Sequence, residues 1–509
     1  MILSKENVGN VKKMEWLDIP PTAIFSLPEK VLQFGTGVLL RGLPDYFIDK
    51  ANKQGIFNGR VVVVKSTGQG DTAVFGKQDN LYTQCVRGIE NGKQVEEAII
   101  NASISRVLSA ATQWPEILAC ATNPQLQVII SNTTEVGIVL HNNDDVQATP
   151  PVSFPGKLLA LLLKRYTHFK GSAESGLVII PTELIIGNGA KLRDIVIELS
   201  RQNKLEEAFI TWIQTANDFC NSLVDRIVPG KLPEDDRAAM ESRLGYNDDL
   251  MIMSEVYRLW AIETANEKTR DILSFSKVDK GVVIAPDINR FRELKLRLLN
   301  GSHTFTCALA VQMGFDTVKQ AMEDECFRRF ITTLMMEEIV PAIVSAKVTE
   351  AAGLQFSADV LERYKNPFIE HHWLSISLQY SSKMKLRNVP VLLQYYEQKN
   401  TVPRCMALGF AAYLLFMKSE KTTENVFTGH AGGKPYIIND DRAATLYSLW
   451  HTSNTNNFAQ NVLQDTGLWG SNLDTLPAFC KAVAENIEMI KQKGMVQTLQ
   501  LFQQAGQIL

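Results

Sequence analysis

Three side chains in one stretch of the chain have the chemistry needed for proton transfer. The stretch 291–306 is rich in Leu, Arg, Lys and Glu, and its leucines recur at helical spacing, which predicts a helix. At about 100° per residue, Lys295, Asn300 and His303 lie near 0°, about 140° and about 80° around that helix, so they share one face. An amine, an amide and an imidazole on one face suit the removal of a proton from a hydroxyl group while its carbon–oxygen bond is polarised. On spacing alone, a solvated Lys, a capping Asn and a core His remain the simpler interpretation.

The sequence of residues 295–303, KLRLLNGSH, resembles the K-x4-N-x2-H signature of the long-chain polyol dehydrogenases, the mannitol dehydrogenase family. The resemblance implies that Lys295 is the general acid or base and that Asn300 helps to form an oxyanion pocket. It also implies that His303 orients and polarises the reacting oxygen. In that family the reaction needs no metal, so no metal ligands are expected here.

Length and composition are those of a soluble enzyme with more than one domain. The chain has 509 residues, 45% hydrophobic and 21% charged, which predicts two or three domains. A net charge of −3 gives no reason to expect nucleic acid or an anionic membrane as a partner. Seven scattered Cys without a C-x-x-C pair, and the lack of an apolar signal or membrane-length segment, predict a cytoplasmic protein with reduced thiols. A small-molecule substrate is expected, and the sequence indicates no protein partner.

A glycine turn near residue 35 predicts the start of a dinucleotide-binding fold. The apolar strand 30–34 is followed by Gly35-Thr-Gly37 and a helix, and this turn would place a pyrophosphate at the helix N-terminus. Leu40 stands where a third glycine is common, and G-x-G alone fits many strand-to-helix turns. The longer string QFGTGVLLRG resembles the phosphate loop of the same family, in which an Arg follows the glycines. The resemblance implies these cofactor contacts: Gln33, Phe34, Gly35, Thr36, Gly37, Val38, Leu39, Leu40 and Arg41.

The next strand bears on the choice of cofactor. The run 60–65 predicts a buried parallel strand, and it ends in Lys65 and Ser66 where an acid often binds the adenosine ribose. A Lys at this place could favour the 2′-phosphate of NADP. The family resemblance favours NAD, which is our prediction, with Ser66 as a contact.

Two further strand ends carry candidate polar residues. Strand 127–130 leads into SNTTEVG, which resembles a family turn beside the nicotinamide and implies contacts from Thr133 and Thr134. Strand 176–180 leads to Asn188-Gly189, and the resemblance implies that Asn188 is a second oxyanion-pocket amide. Asn-Gly is equally typical of a helix cap or a left-handed turn. Both interpretations of Asn188 stay open at this point.

The string N-x-x-V-D-R-I at residues 221–227 also resembles the family. We expect a helix here that carries a polar clasp, with Asp225 approaching the substrate.

The second half of the chain has almost wholly helical periodicity from residue 287 onward, and the Gly-rich string at His430 predicts a loop between helices. The predicted domains are therefore a Rossmann-like α/β NAD-binding domain, 1–286, and a mainly α-helical substrate and catalytic domain, 287–509.

The substrate class is suggested by a departure from the polyol pattern. Polyol-using members carry an Arg where Ser375 stands, whereas N-P-F-I-x-H and S-K-x-K-x-R resemble the hexuronate branch of the family, which reduces keto-sugar acids. We predict substrate contacts from His371 and Lys383. Lys383, Lys385 and Arg387 are spaced by two and would not share a helix face, but in an extended turn two of them could meet a carboxylate. For Lys385 and Arg387 a solvated surface is the simpler interpretation. The alternatives are an oxidoreductase of another hexuronate or of mannitol and, from a different class, an inactive nucleotide-binding regulator.

Overall fold

The structure, a computed structural model, describes residues 1–66, 72–133, 137–423, 425–452 and 457–506. Thr134, a predicted cofactor contact, lies outside these residues. The chain divides into two compact units, Met1–Ile288 and Asn289–Leu509. Within the described residues, no helix combines the length and apolar character that a membrane crossing requires.

The first unit is built on a six-stranded parallel sheet. Its strands are β1 (Glu29–Phe34), β2 (Arg60–Lys65), β3 (Ile104–Ser109), β4 (Val128–Ser131), β5 (Val178–Pro181) and β6 (Asp218–Phe219). Their order in the sheet is β3-β2-β1-β4-β5-β6, which is that of a dinucleotide-binding Rossmann fold. The Rossmann-type fold predicted from the sequence is therefore confirmed.

The strands β2, β4 and β5 of this sheet are buried along their whole length, as their apolar runs predict. All six residues of β2 are buried. Val62 and Val64 pack into one hydrophobic core, while Val61 and Val63 pack into another on the opposite face. Because a strand has a period of two, such runs place apolar side chains against helices on both sides of the sheet.

Two smaller sheets and a set of helices complete the first unit. The sheet strands are Leu17–Asp18, Lys93–Asn101, Tyr82–Glu90 and Ile252–Glu255 in one sheet, and Asn221–Asp225, Leu259–Glu263 and Val282–Ala285 in the other. The α-helices are Val38–Gly42, Pro44–Lys53, Ala73–Lys77, Trp114–Cys120, Phe154–His168, Asn188–Gln202, Glu207–Ala216, Glu234–Leu244 and Glu267–Ile272. Short 3-10 turns are Val8–Asn10, Thr22–Ser26, Ala173–Ser175 and Ser274–Lys277.

The second unit is mostly helical, as predicted, but three of its helical segments are π-helices: π1 (Lys295–Gly301), π2 (Leu334–Ile339) and π3 (Met384–Asn388). Its α-helices are Asn289–Leu294, Ser302–Gln312, Val318–Glu323, Glu325–Thr333, Val340–Ile343, Glu350–Tyr364, Trp373–Ile376, Tyr380–Lys383, Val389–Lys399, Arg404–Phe416, Ala443–Thr452, Phe458–Leu463, Thr466–Trp469 and Phe479–Gly506, with a 3-10 turn at Leu473–Thr475.

Two local predictions were wrong. The segment that contains His430 is not a loop between helices but part of an antiparallel sheet of Glu420–Thr423, Val426–Ala431 and Lys434–Ile437. The segment around Asp225 is not helical but a strand, paired antiparallel with Leu259–Glu263. In both places β pairing with another segment overrides the local pattern, which predicted a loop at His430 and a helix at Asp225.

Candidate functional site

The glycine turn after β1 has the backbone that a phosphate-binding turn requires. Gly35 has φ +133°, and a Cβ there would lie 2.8 Å from Leu40 Cδ1 and 2.9 Å from the Asn132 carbonyl oxygen. Gly37 is exposed and precedes the helix Val38–Gly42, whose N-terminus has no side-chain cap. These features fit a bound pyrophosphate, because uncapped N–H groups and a close backbone approach are what such a turn offers.

The side chains on either side of this turn belong mainly to the core. Gln33, Phe34 and Leu40 are fully buried. The Gln33 amide donates to Asp45 Oδ2 at 3.2 Å, and the Phe34 ring lies 5.1 Å from that of Phe154. A contact of these residues with the cofactor would therefore come from their backbone groups, and it remains a prediction. Thr36, Val38 and Leu39 are partly exposed at the turn.

The Arg41 side chain is packed inside the first unit and is not exposed beside the glycine turn. Its Nη1 donates to the Leu250 carbonyl oxygen at 2.8 Å, and its guanidinium lies over the rings of Phe75 and Tyr82 at 5.6 and 5.4 Å. Only 8% of Arg41 is exposed, along one wall of a cavity of about 590 Å³. Packing and the Leu250 carbonyl thus hold the Arg41 side chain, and its predicted contact with the cofactor remains a prediction.

At the ends of the other strands, some polar side chains are hydrogen-bonded within the fold and others are not. Ser66 Oγ, after β2, is buried without a hydrogen-bond partner among the described residues. After β4, both the N–H and the Oγ1 of Thr133 donate to Glu183 Oε1, at 2.9 and 3.0 Å. Glu183 also accepts a hydrogen bond from Ser131 Oγ at 3.1 Å. Glu183 thus fastens the end of β4, while Ser66 keeps a group that a ligand could bind.

The Asn188 amide is occupied by the fold. Its nitrogen donates to the carbonyl oxygens of Pro181, Glu183 and Ser222 at 2.9, 3.0 and 3.1 Å, and its oxygen accepts from the N–H groups of Gly189 and Ser222. The residue is fully buried at the start of the helix Asn188–Gln202. An oxyanion could use this amide only by displacing one of the three carbonyls. The geometry therefore favours the structural interpretation over the predicted catalytic one.

Asp225 ends a buried strand, and the next residue is the polar clasp that the sequence predicted. Arg226 Nε donates to the Glu255 carbonyl oxygen at 2.9 Å and Nη1 to that of Gly42 at 2.6 Å. The Arg226 guanidinium also lies over the Tyr46 ring at 4.6 Å. Asp225 is only 5% exposed. Its contact with substrate remains a prediction.

In the second unit, Lys295 and Asn300 lie in π1 and not in a regular α-helix, which corrects the angles derived from the sequence. A π-helix bonds residue i to residue i+5, so five residues complete little more than one turn. Asn300 therefore lies closer in angle to Lys295 than the α-helical estimate of about 140°. The α-helix Ser302–Gln312, which carries His303, continues directly from π1. Single π turns are frequent at functional sites.

His303 is buried with an open ring nitrogen. It is 7% exposed, and its Nε2 has no hydrogen-bond partner among the described residues. The Tyr364 ring stacks on it with centroids 4.1 Å apart, while His371 stands edge-on at 5.1 Å. Burial, reinforced by the nearby charges of His371 and Arg363, lowers the pKa of His303 well below its usual range. The imidazole is therefore neutral near pH 7, with a nitrogen available to a substrate oxygen.

Cations lie around His303, and two of them, Lys383 and Arg387, form no ion pair with a carboxylate among the described residues. Lys383 Nζ donates to the Ile376 carbonyl oxygen at 2.7 Å. Arg387 Nη1 lies 3.2 Å from Thr304 Oγ1 and 3.5 Å from the Asn300 carbonyl oxygen. Burial, and then the charge of Arg387, lowers the pKa of Lys383. Lys383 and Arg387 therefore form a positive region beside the proposed reaction centre.

The π-helices π1 and π3 pack together and brace each other through side chains. Arg297 of π1 donates to the carbonyl oxygens of Leu386 and Arg387, both at 2.9 Å. The amide of Asn388, fully buried, spans the Gly301 carbonyl oxygen and the Phe305 N–H at 3.3 Å each, in the orientation that satisfies both groups. These contacts fix the junction between the turn that carries Asn300 and the helix that carries His303.

Sequence reasoning missed Tyr364, and for Arg387 it favoured a solvated surface over a contact with a carboxylate. Arg387 is two residues from Lys385 but four from Lys383, and a spacing of four places two side chains on one helix face. That spacing was an available signal. Tyr364 lies 61 positions from His303 in sequence, and only the packing of Glu350–Tyr364 brings the rings together.

No metal-ligand arrangement of three or more His, Cys, Asp or Glu side chains occurs among the residues that the structure describes. His371 is half-buried and His372 exposed, and the ring of His371 faces His303. The predicted contact of His371 with a substrate hydroxyl remains a prediction.

Two family models match most of the chain: the mannitol dehydrogenase Rossmann domain over residues 29–273 and the mannitol dehydrogenase C-terminal domain over residues 287–491. An altronate oxidoreductase of Bacillus subtilis is 39% identical over 480 residues, covering 93% of this chain and 95% of the relative. One of Yersinia enterocolitica is 36% identical, covering 92% of this chain and 96% of the relative.

Solved structures show the same fold. The Pseudomonas fluorescens mannitol 2-dehydrogenase, in a ternary complex with NAD and D-mannitol, matches with a TM-score of 0.67 at 20% identity, over 99% of this chain and 100% of that one. A substrate-free D-sorbitol dehydrogenase matches with a TM-score of 0.76 at 18% identity, over 98% and 100%. The resemblance first seen in the Lys-Asn-His signature is thereby confirmed, and the chain belongs to the mannitol dehydrogenase family of oxidoreductases.

Proposed function

We propose that this protein is an NAD-dependent oxidoreductase that interconverts D-tagaturonate and D-altronate in cytoplasmic hexuronate catabolism. Curated relatives at 35–39% identity over nearly the whole chain are altronate oxidoreductases, which supports the reaction. The observation that carries the proposal is the neutral, buried His303 beside Asn300, with cations around it. The glycine turn after β1 supports a dinucleotide cofactor.

The side chains of the second unit can perform the proton chemistry. The bound dinucleotide would supply or accept the hydride. The Asn300 amide makes no hydrogen bond to a described residue, so it can donate to the oxygen that gains charge. Such a donor is worth roughly 3 kcal/mol in the transition state. His303 orients the same oxygen through its open Nε2, and Lys295 delivers the proton, or removes it from the alcohol in the reverse direction.

A charged substrate suits the surroundings of this centre better than a neutral sugar. Lys383 and Arg387 bond only to uncharged oxygens among the described residues. Half-buried cations that lack a carboxylate carry a desolvation cost, which a substrate carboxylate would offset. A keto-hexuronate has a carboxylate on the same carbon chain as its ketone, whereas fructose and mannitol have none.

A substrate panel tests the reaction directly. We expect NADH to be consumed with D-tagaturonate, and NAD to be reduced with D-altronate, while D-fructuronate and D-fructose react poorly. Fructuronate as the preferred ketone would make the protein a mannonate oxidoreductase, and fructose as the preferred ketone would make it a mannitol dehydrogenase. Absence of turnover with every member of the panel would favour a nucleotide-binding regulator.

Cofactor choice requires its own measurement. We expect a higher kcat/KM with NADH than with NADPH. Lys65 is the residue to examine if the result is opposite, because it ends β2 where a 2′-phosphate would bind.

Metal independence follows from the assignment of every proton-transfer and charge-stabilising role to side chains. Activity should persist after prolonged EDTA treatment and dialysis. Loss of activity that zinc restores would contradict this part of the proposal.

A further inference from the structure

We propose that Arg387 binds the carboxylate of the substrate and so selects keto-sugar acids over neutral ketoses. The inference rests on the proposed function, because it assigns the group that recognises the acid. The sequence predicted that Lys383 contacts the substrate. The structure distinguishes Lys383 from Arg387 by the hydrogen bonds that their N–H groups already make.

The position of Arg387 places it next to the reaction centre. Its Nη1 lies 3.2 Å from Thr304 Oγ1 and 3.5 Å from the Asn300 carbonyl oxygen. Asn300 and Thr304 flank His303 in sequence on the continuous helical segment. A carboxylate held by Arg387 would therefore be close to the oxygen that Asn300 and His303 bind.

The guanidinium retains donors for a second partner. Nη1 makes the two contacts described above, whereas Nε and Nη2 make no hydrogen bond to any residue that the structure describes. Nε and Nη2 lie on one edge of the guanidinium plane, and such an edge matches the two oxygens of a carboxylate. Thr304 and the Asn300 carbonyl hold the opposite side, so the side chain is oriented before substrate arrives.

Neighbouring cations are less suited to this role. Lys383 Nζ is anchored on the Ile376 carbonyl oxygen at 2.7 Å and has no planar donor pair. Lys385, on the same π-helix, points toward the Gly467 carbonyl oxygen at 3.3 Å, at an exposed position. Both contribute positive charge, but Arg387 alone among these three offers a bidentate edge beside the His303 helix.

The experiment compares kcat/KM for D-tagaturonate with kcat/KM for D-fructose in the parent and in Arg387→Met. The ratio of the two values is independent of how much of a variant is folded, so general destabilisation does not change it. A charge-assisted contact contributes roughly 1.5–3 kcal/mol, which predicts a ratio about 10- to 100-fold lower in Arg387→Met. Arg387→Lys should fall between parent and Met, because it keeps the charge and loses the fork.

Lys385→Met is the matched control, since it removes a cation from the same π-helix away from Thr304. It should leave the ratio close to that of the parent. The inference is overturned if Arg387→Met lowers both kcat/KM values equally, if it leaves the ratio unchanged, or if Lys385→Met lowers the ratio as much. A fall in Lys383→Met without one in Arg387→Met would assign the carboxylate to Lys383 instead.

These outcomes are distinct from failure of the proposed function. If the parent enzyme prefers fructose to tagaturonate, the substrate assignment fails before any variant is compared. If the parent prefers tagaturonate and Arg387→Met retains that preference, the reaction stands and only the role of Arg387 fails.

Discussion

Asn188 and Asn300, both predicted to donate to a developing oxyanion, are in opposite environments. The Asn188 amide is fully buried and donates to three backbone carbonyls of the first unit. The Asn300 amide is partly exposed in π1 and makes no hydrogen bond to a described residue. A polar group whose bonds are all made inside the fold contributes to stability, whereas one left open is available to a ligand. The two asparagines therefore differ in their hydrogen-bond partners: the fold occupies the Asn188 amide, whereas the Asn300 amide is available to a ligand.

The largest effect is expected at Lys295, which lies in the same π-helix as Asn300. Lys295→Ala should lower kcat by about 10²- to 10⁴-fold, because it removes the general acid and base, while NADH binding persists. Steady-state kinetics together with a fluorescence titration of NADH separate the two effects. Near-parent turnover at neutral pH would show that another group transfers the proton.

The two asparagines themselves give the sharpest contrast. Asn300→Ala should lower kcat by about 10²- to 10³-fold with little change in the thermal midpoint, as expected for loss of one oxyanion donor. Asn188→Ala should instead lower the free energy of unfolding by about 3 kcal/mol, because buried backbone groups lose their partners. Thermal unfolding and kcat are measured on both variants. A folded Asn188→Ala enzyme with the same kcat loss as Asn300→Ala would restore Asn188 to the catalytic set.

The same contrast explains what could be predicted from the sequence. The valine-rich strand Arg60–Lys65 and the glycine turn were predictable, because a buried parallel strand and a tight turn each have a local sequence signature. The mainly helical second unit was predictable from its periodicity. The identities of Lys295 and His303 as candidates came from resemblance, since spacing alone favoured a structural interpretation.

Other features depend on contacts between distant segments. The π-helical form of Lys295–Gly301 has no strong local signature, and contacts with π3, nearly ninety residues away, brace it: Arg297 donates to the Leu386 carbonyl, and the Asn388 side chain contacts Gly301. The occupancy of the Asn188 amide depends on Ser222, 34 positions along the chain. Which polar groups form hydrogen bonds within the fold cannot be read from the sequence alone, and that property distinguishes Asn188 from Asn300.

The smallest expected effect concerns the free energy of unfolding and arises from His303. Burial, followed by the charges of His371, Arg363, Arg387 and Lys383, lowers the pKa of His303 in the folded protein. An unfolded His has a pKa of about 6.5, so below that pH the unfolded chain binds a proton that the folded protein does not. Stability should therefore fall as pH drops below about 6.5, by up to about 1.4 kcal/mol per pH unit from this group alone.

His303→Gln tests this contribution, because Gln does not titrate. Urea unfolding of parent and variant at several pH values above and below about 6.5 gives the difference in slope. The slope of the variant must be subtracted from that of the parent because other groups also titrate. Burial lowers the pKa of His371, which destabilises the folded protein as pH falls. Burial raises the pKa values of Asp45 and Glu338 to about 7, which stabilises the folded protein as pH falls. The parent should lose more stability on acidification than the variant does. Equal slopes would mean that folding does not lower the pKa of His303, and the ring would then become a cation below about pH 6.5 instead of staying the neutral donor that we infer.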